Sequence, residues 1–243
     1  MNQDFYIGYS PKAPAELGRW VARLVTGLVL AGLVIGGLLT VAQAPFADSR
    51  FEYGIYHQYS GVIEEWPYPI LRTAVSSFLL VAPGKHGLSG AVHGLQGKGV
   101  RLQGSLTKRW QDEMLEVPPE SIHETMPLPI RTVSEVTNLG PVRLRGEIVD
   151  SKCYLGVMNP GNGKVHRDCA VRCISGGVPP AFIARDAAGK TMVILLVGSD
   201  GRALNKEVLS FVAEPMEIRG QLVRSGSNLI LKSEPAAFLR SPE

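Results

Sequence analysis

Val100-Arg-Leu-Gln-Gly104-Ser-Leu106 and Met216-Glu-Ile-Arg-Gly220-Gln-Leu222 share one pattern of apolar residues around a central glycine, 116 residues apart. Two further pairs of segments match: Leu79-Leu80-Val81 with Leu195-Leu196-Val197 at the same separation, and Gly61-Val-Ile63 with Gly146-Glu-Ile148 at 85 residues. The matches predict an internal repeat. The two separations differ by about 31 residues, so the second copy contains an insertion that the first copy lacks.

Each copy shows short runs of alternating apolar residues, which are typical of β-strands. The predicted strands of the first copy are 59–65, 77–82, 100–107 and 113–117, and those of the second are 142–150, 181–185, 191–197, 216–223 and 228–232. Leu204, Val208, Leu209 and Val212 recur at helical spacing between the third and fourth strands of the second copy. Three strands, a short helix and two strands is the element order of the oligonucleotide/oligosaccharide-binding (OB) barrel. We therefore expect a mainly β protein with two tandem OB-like barrels; one larger β-sandwich is the alternative.

The N-terminal region contains 19 consecutive residues without a charge, residues 24–42, which is enough for a helix to cross a bilayer core. We expect residues 21–44 to be an uncleaved transmembrane anchor, although Ala42-Gln-Ala44 has the form of a signal-peptide cleavage site. Lys12, Arg19 and Arg23 lie on the N-terminal side. The positive-inside rule then keeps residues 1–20 in the cytoplasm and exports the rest to the periplasm or outside. The predicted location is the cytoplasmic (inner) membrane, with a single pass.

The exported part is predicted to contain a first β module at residues 45–117 and a second at residues 136–243. Between them, residues 118–135 contain Pro118, Pro119, Pro127 and Pro129, which indicate a stiff linker. The net charge is only +3, and basic residues are mixed with acidic ones. This mixture of charges shows no cluster of basic residues that would bind nucleic acid, and we expect no nucleic acid as a partner.

The insertion, residues 153–180, contains all three cysteines and the only histidine of the second half. His166, Cys169 and Cys173 are spaced so that they share one face if residues 166–174 form a helix. Cys153 follows the first strand of its module and could face that helix. Three sulfurs and one imidazole form a tetrahedral ligand set for zinc, and thiolates also suit copper(I). The predicted metal ligands are therefore Cys153, His166, Cys169 and Cys173.

Two other interpretations of the cysteines stay open. An exported protein lies in an oxidising compartment, where Cys153 could form a structural disulfide with Cys169 or Cys173 and leave the third cysteine buried. The cysteines could also form a thiol–disulfide redox site. Arg167 and Arg172 flank them and would lower the pKa of a nearby thiol if they point the same way.

The layout of an N-terminal membrane helix followed by an exported OB-like barrel is similar to that of the periplasmic haem chaperones of cytochrome c maturation. That family attaches haem through a histidine in a His-x-x-x-Tyr tail. Here the corresponding tail is Glu234-Pro-Ala-Ala-Phe-Leu-Arg, which has no histidine. The resemblance therefore implies a small anchored barrel that can serve the handling of a metallocofactor, without carrying over a haem site.

No motif of a hydrolase or of haem attachment is present in the sequence. We expect a non-catalytic, membrane-anchored accessory protein of a membrane-associated redox or metallocofactor system, in which the Cys/His site binds metal or forms a redox-sensitive clasp. The alternative is a structural or binding module of a cell-envelope complex with a passive disulfide. In either case the expected partner is a membrane or envelope protein complex.

Overall fold

The structure, a computed structural model, describes residues 14–43, 49–126, 136–186 and 188–240. The chain divides into two compact units, Met1–Phe46 and Ala47–Glu243. Some predicted segments lie outside the described residues: positions 1–13 of the cytoplasmic segment, 44–48 around the end of the anchor, and 127–135 of the linker.

The first unit contains one α-helix, α1, Ala15–Ala42. Pro14 precedes it, and Glu16 lies in its first turn, where a carboxylate is favoured by the helix dipole. Large apolar side chains are exposed along its whole length, among them Leu28 and Leu33. The helix is long and apolar enough to cross a membrane.

The second unit is built from fourteen strands among the described residues. They are β1 Ser49–Phe51, β2 His57–Glu64, β3 Ile70–Arg72, β4 Ser77–Ala82, β5 His86–Gly87, β6 Gly99–Arg109, β7 Asp112–Glu116, β8 His123–Glu124, β9 Val136–Asp150, β10 Pro180–Arg185, β11 Thr191–Val197, β12 Pro215–Ser225, β13 Asn228–Lys232 and β14 Phe238–Arg240. One further α-helix, α2, spans Arg167–Ser175.

These strands close into two five-stranded barrels and not into one sandwich. In the first barrel the pairing order is β2–β3–β4–β7–β6 and back to β2. In the second it is β9–β10–β11–β13–β12 and back to β9. Both barrels pair their third strand with their fifth in parallel and all their other neighbours antiparallel, so the two share one topology.

The matched sequence segments lie in corresponding strands of the two barrels, and the matched glycines Gly61 and Gly146 have the same role. A Cβ on Gly61 of β2 would lie 2.3 Å from the backbone oxygen of Arg72 on β3. A Cβ on Gly146 of β9 would lie 2.0 Å from the backbone oxygen of Ile183 on β10. Only glycine permits this approach, which lets the first strand of each barrel bend across the second.

Each barrel has its own core, and a third cluster joins them. Leu80 and Leu115 are fully buried in the first barrel, as Leu196 and Leu231 are in the second. The shared cluster contains buried residues from both: Tyr68, Ile70, Leu79, Val81 and Met114 from the first barrel, and Cys153, Leu155, Cys173, Val178, Leu195, Val197, Val223 and Ile230 from the second. We call this cluster the seam.

Polar contacts also cross the seam. The Tyr68 hydroxyl donates to the backbone oxygen of Leu196 over 2.6 Å and accepts from the backbone N–H of Leu204 at 3.2 Å. The Lys152 ammonium lies 2.5 Å from the Glu116 carboxylate and donates to the backbone oxygen of Ala82 at 2.8 Å. Both side chains of the Lys152–Glu116 pair are buried.

Two of the predicted segments have a different structure from the one expected. The spacing of residues 204–212 predicts a helix, but the structure has one α-type turn, closed by the Val208 N–H on Leu204 O, and a 3-10 turn at Leu209–Phe211. Leu204, Val208 and Val212 are nonetheless buried in the second core, so the apolar spacing reports burial and not a continuous helix. The described part of the predicted linker includes β8, which pairs with β6 of the first barrel.

Candidate functional site

The cysteine-bearing insertion connects β9 to β10. Asp150 ends β9, and its carboxylate Oδ1 accepts the backbone N–H of Cys153 at 2.7 Å. This local bond turns the chain out of the strand into a short π-helical turn, Cys153–Val157. The side chain of Cys153 is thereby held beside the end of the strand.

The helix predicted for residues 166–174 is present as α2, with His166 in a 3-10 turn directly before it. Cys169 and Cys173 are four residues apart, so they lie on one face of α2. The helix stops at Gly176 and Gly177, where Gly177 has φ +98° and the N–H of Gly176 returns to Arg172 O. A glycine at this position ends a helix without steric penalty.

The structure places the four predicted ligand residues in two overlapping groups that share Cys153. The ligand atoms of Cys153, His166 and Cys169 lie within 4.8 Å of one another, as do those of Asp150, Cys153 and Cys173. Cys153 Sγ is 4.0 Å from Cys169 Sγ, and all three cysteines are free. Cys153, Cys173 and His166 are buried, whereas Cys169 is partly exposed. We call these residues, together with Asp150, the Cys/His site.

Asp150 orients the histidine. His166 Nε2 lies 3.0 Å from Asp150 Oδ2, and the Asp150 side chain is completely buried. With the carboxylate as acceptor, Nε2 carries the proton and the lone pair lies on Nδ1. A carboxylate behind an imidazole is the usual support for a metal-binding histidine.

A lysine of the first barrel completes the site. Lys85 Nζ lies 2.8 Å from Cys169 Sγ and 3.7 Å from Cys173 Sγ. The hydrogen bond to Cys169 raises the pKa of Lys85. Its backbone neighbour Gly87 donates to the Gly176 oxygen at 2.9 Å, which holds the Lys85 turn against the end of α2.

The thiols of Cys153 and Cys173 form a hydrogen bond to each other. Cys153 acts as donor to Cys173, and this hydrogen bond lowers the pKa of Cys173 to about 7, with the charge of Lys85 acting in the same direction. The same hydrogen bond, together with burial, raises the pKa of Cys153. Of the two sulfurs, that of Cys173 is therefore the one favoured as a thiolate near neutral pH.

Sequence reasoning missed Lys85 and Asp150. Arg167 and Arg172, which would lower a thiol pKa if they pointed toward the cysteines, are placed elsewhere: Arg167 pairs with Glu214 at 2.7 Å and Arg172 is exposed. Lys85 lies 84 residues from Cys169 and belongs to a turn that no local pattern connects to the cysteines. Asp150 did carry a usable indication, because an aspartate three residues before a turn residue commonly caps its N–H.

The separation of two of the sulfurs is close to that in a tetrahedral metal centre. At a zinc–sulfur distance of about 2.3 Å, a regular tetrahedron separates two sulfurs by about 3.8 Å, close to the 4.0 Å between Cys153 and Cys169. Three thiolates around a divalent ion carry one net negative charge, which the Lys85 ammonium would neutralise. The donor set therefore fits zinc, and its soft sulfurs also fit copper(I). Comparisons of the chain with protein-family models, with curated proteins and with solved structures gave no match.

Proposed function

We propose that this chain binds one metal ion, zinc or copper(I), through Cys153, His166, Cys169 and Cys173, and that it serves a membrane-associated redox or metallocofactor system as a non-catalytic accessory protein. The observation that carries the proposal is the convergence of three free thiols and a carboxylate-supported imidazole at the seam. A buried polar cluster of this kind is costly unless its groups have partners, and a metal ion is a partner for all four.

The charges around the site favour zinc over copper(I). A zinc ion with three thiolates leaves one negative charge for Lys85, whereas copper(I) would leave two. The balance with a single lysine is therefore better for zinc.

The architecture supports the accessory role. Three antiparallel strands, a connecting segment and two more strands with a parallel closure are the topology of an OB-like barrel, and two such barrels in tandem would present the site from a rigid frame. Helix α1 would anchor the protein in the cytoplasmic membrane. Arg19 and Arg23, at the N-terminal end of α1, favour a cytoplasmic N-terminus and exported barrels. The partner would be a membrane or envelope protein complex.

The test is a joint measurement of metal and thiols on the full-length chain, purified in detergent without chelators. We expect about one metal ion per chain by elemental mass spectrometry, with thiols that react only after chelation. Cys169→Ser and Cys173→Ser are expected to lose the metal, whereas Ser175→Ala, on the exposed end of α2, is expected to keep it. A metal-free protein with a single reactive thiol would reject the metal site and establish the stapling disulfide of the alternative, an envelope-complex module.

A further inference from the structure

The outer face of the second barrel carries a concentrated positive charge. Residues Val142 and Leu144 of β9 pack toward the core, so Arg143 and Arg145, which alternate with them, face outward. Arg219 of β12 also faces outward, directly across from Arg143 in the strand pairing. Like charges at directly opposed positions normally destabilise a sheet. Here a neighbouring carboxylate offsets the repulsion.

That carboxylate belongs to Glu217. It pairs with Arg145 across the sheet, and its carboxylate lies 2.5 Å from Arg143 Nε, 3.4 Å from Arg145 Nε and 3.7 Å from Arg219 Nε. Its side chain is only 8% exposed, although its strand position faces outward, because the three guanidinium groups cover it. The hydrogen bond from Arg143 lowers the pKa of Glu217, with Arg145 acting in the same direction.

One carboxylate cannot accept hydrogen bonds from all the N–H donors of three guanidinium groups. In each arginine the nitrogen nearest to Glu217 is Nε, which leaves donors on the two Nη atoms for a second anion. These side chains are 59%, 81% and 56% exposed for Arg143, Arg145 and Arg219. Glu217 thus fixes the arginines in place and leaves their outer edges open to solvent.

A groove of about 840 Å³ runs beside these arginines. Arg143, Arg145 and Arg185 line it, and Ile183 and Pro215 give it an apolar floor. Arg185 is exposed at the end of β10 and makes no ion pair within the described residues. The groove also contains Glu147, whose carboxylate accepts the backbone N–H of Gly163. With two carboxylates against four arginines, the face keeps a net charge of about +2.

We propose that this face is a docking surface for an extended acidic segment of a partner protein, with carboxylates at alternate positions. Arg143 and Arg145 are two residues apart on one strand, so their origins are separated by about 6.8 Å. Alternate side chains of an extended peptide have the same spacing, so every second side chain could reach an arginine while the residues between them point away from the sheet. Each carboxylate can accept two parallel N–H bonds from one guanidinium, which gives both affinity and register.

The lining residues disfavour a nucleic acid in this groove. Binding of single strands requires aromatic rings on which bases stack. The aromatic side chain that lines the groove is Tyr154, and the guanidinium of Arg109 lies over its ring, 4.2 Å from the centroid. An acidic peptide needs no stacking platform and matches the charge and the spacing together.

The test uses the full-length chain in detergent and a short fluorescent peptide that alternates Glu and Val, with a Lys/Val peptide as the control ligand. We expect saturable binding of the acidic peptide by fluorescence anisotropy, weakening as salt is raised. Arg185→Glu is expected to weaken binding about tenfold, because it reverses a charge in the groove. This variant leaves the Glu217 cluster intact. Arg224→Glu makes the same charge change at an exposed position of β12 and is expected to have little effect.

A second variant addresses the fixed arginines. Arg143→Gln with Arg145→Gln is expected to lose most of the binding, and its circular dichroism spectrum shows whether the barrel is still folded. Equal binding of the Glu/Val and Lys/Val peptides would overturn the proposal, as would equal losses in Arg185→Glu and Arg224→Glu. A single-stranded oligonucleotide could also bind more tightly than the acidic peptide and lose its binding in Arg185→Glu. That result would show that the groove binds nucleic acid and not an acidic segment.

Discussion

At the scale of single residues, the unusual feature of this protein is a lysine that approaches two cysteines from another barrel. The Lys85 ammonium has no carboxylate beside it in the described contacts, and its nearest partner is the sulfur of Cys169. An amine in such surroundings stabilises negative charge on sulfur. Replacing Lys85 should therefore change the chemistry of the thiols more than it changes the fold.

The first prediction concerns the thiolate of Cys173. In chelator-treated protein we expect one thiol to titrate near pH 7, because the Cys153 hydrogen bond and then the Lys85 charge lower the pKa of Cys173 to about 7. Cys153→Ala should raise this pKa most, and Lys85→Met should raise it less, so both variants have less thiolate at neutral pH. Ultraviolet absorbance of the thiolate, followed against pH, measures the midpoint. Arg172→Ala serves as the control, and an unchanged midpoint in Lys85→Met would contradict the role of Lys85.

The second prediction concerns Asp150 as the support of His166. Asp150→Asn keeps an oxygen for the backbone N–H of Cys153 but removes the negative charge beside the imidazole. We expect metal affinity to fall about tenfold or more, as for other groups that orient a metal-binding histidine. Competition with a chromophoric chelator measures the affinity. Asp200→Asn, on an exposed turn, is the control, and equal affinities for all three proteins would exclude Asp150 from the site.

At the scale of elements, many strands could be predicted because they are short apolar runs bounded by turn residues. The intervals 77–82, 191–197 and 228–232 coincide with β4, β11 and β13. Strand β3 is missed, since its three residues, Ile70–Arg72, are too few to form a recognisable run. The helix at α2 is predicted because His166, Cys169 and Cys173 repeat on one face.

Contacts between distant elements could not be predicted in the same way. The position of Lys85 and the residues of the seam depend on which ends of the two barrels meet. Neither the periodicity of the sequence nor a motif predicts that arrangement. The four ligand residues were recognisable because they lie within one insertion of the sequence. The groove arginines were not singled out, since their meaning depends on the register that sets Arg219 opposite Arg143.

The third prediction tests the repeated glycines that bend the first strand of each barrel. Gly61→Ala and Gly146→Ala each place a methyl group against a backbone oxygen, which cannot move without breaking strand pairing. We expect each to lower the free energy of unfolding by about 2 kcal/mol or more. Gly90→Ala is the control, because a Cβ there would meet nothing within 4 Å. Urea denaturation followed by circular dichroism measures the difference, and equal stability of all three variants would contradict the shared role.

At the scale of the whole molecule, the two barrels of the second unit are joined by a core and not by a flexible contact. The seam buries apolar residues from both barrels, and its polar members are satisfied across it: Tyr68 by Leu196 and Leu204, and Lys152 by Glu116. The Cys/His site lies in the same seam. We therefore expect metal occupancy and the association of the barrels to stabilise each other, since a ligand that binds only the assembled state adds to its stability.

The last prediction examines the seam through its buried ion pair. Lys152→Met leaves the Glu116 carboxylate without its cation and leaves the Ala82 and Gly84 oxygens without their donor. Removing one partner of a buried pair typically costs about 3 kcal/mol, and replacing both partners restores much of that loss. We expect Lys152→Met to destabilise the protein strongly and Lys152→Met with Glu116→Gln to recover part of it.

Hydrogen exchange resolved by mass spectrometry is the measurement, because it reports on both barrels. In Lys152→Met, protection should fall at the ends of β4 and β7 in the first barrel and at the end of β9 in the second, since Lys152 follows β9 and bonds to Ala82 of β4 and Glu116 of β7. Lys98→Met, which breaks the exposed pair with Glu124, should change protection little. Loss of protection in one barrel alone would show that the barrels open independently, and the seam would then be a contact surface and not a common core.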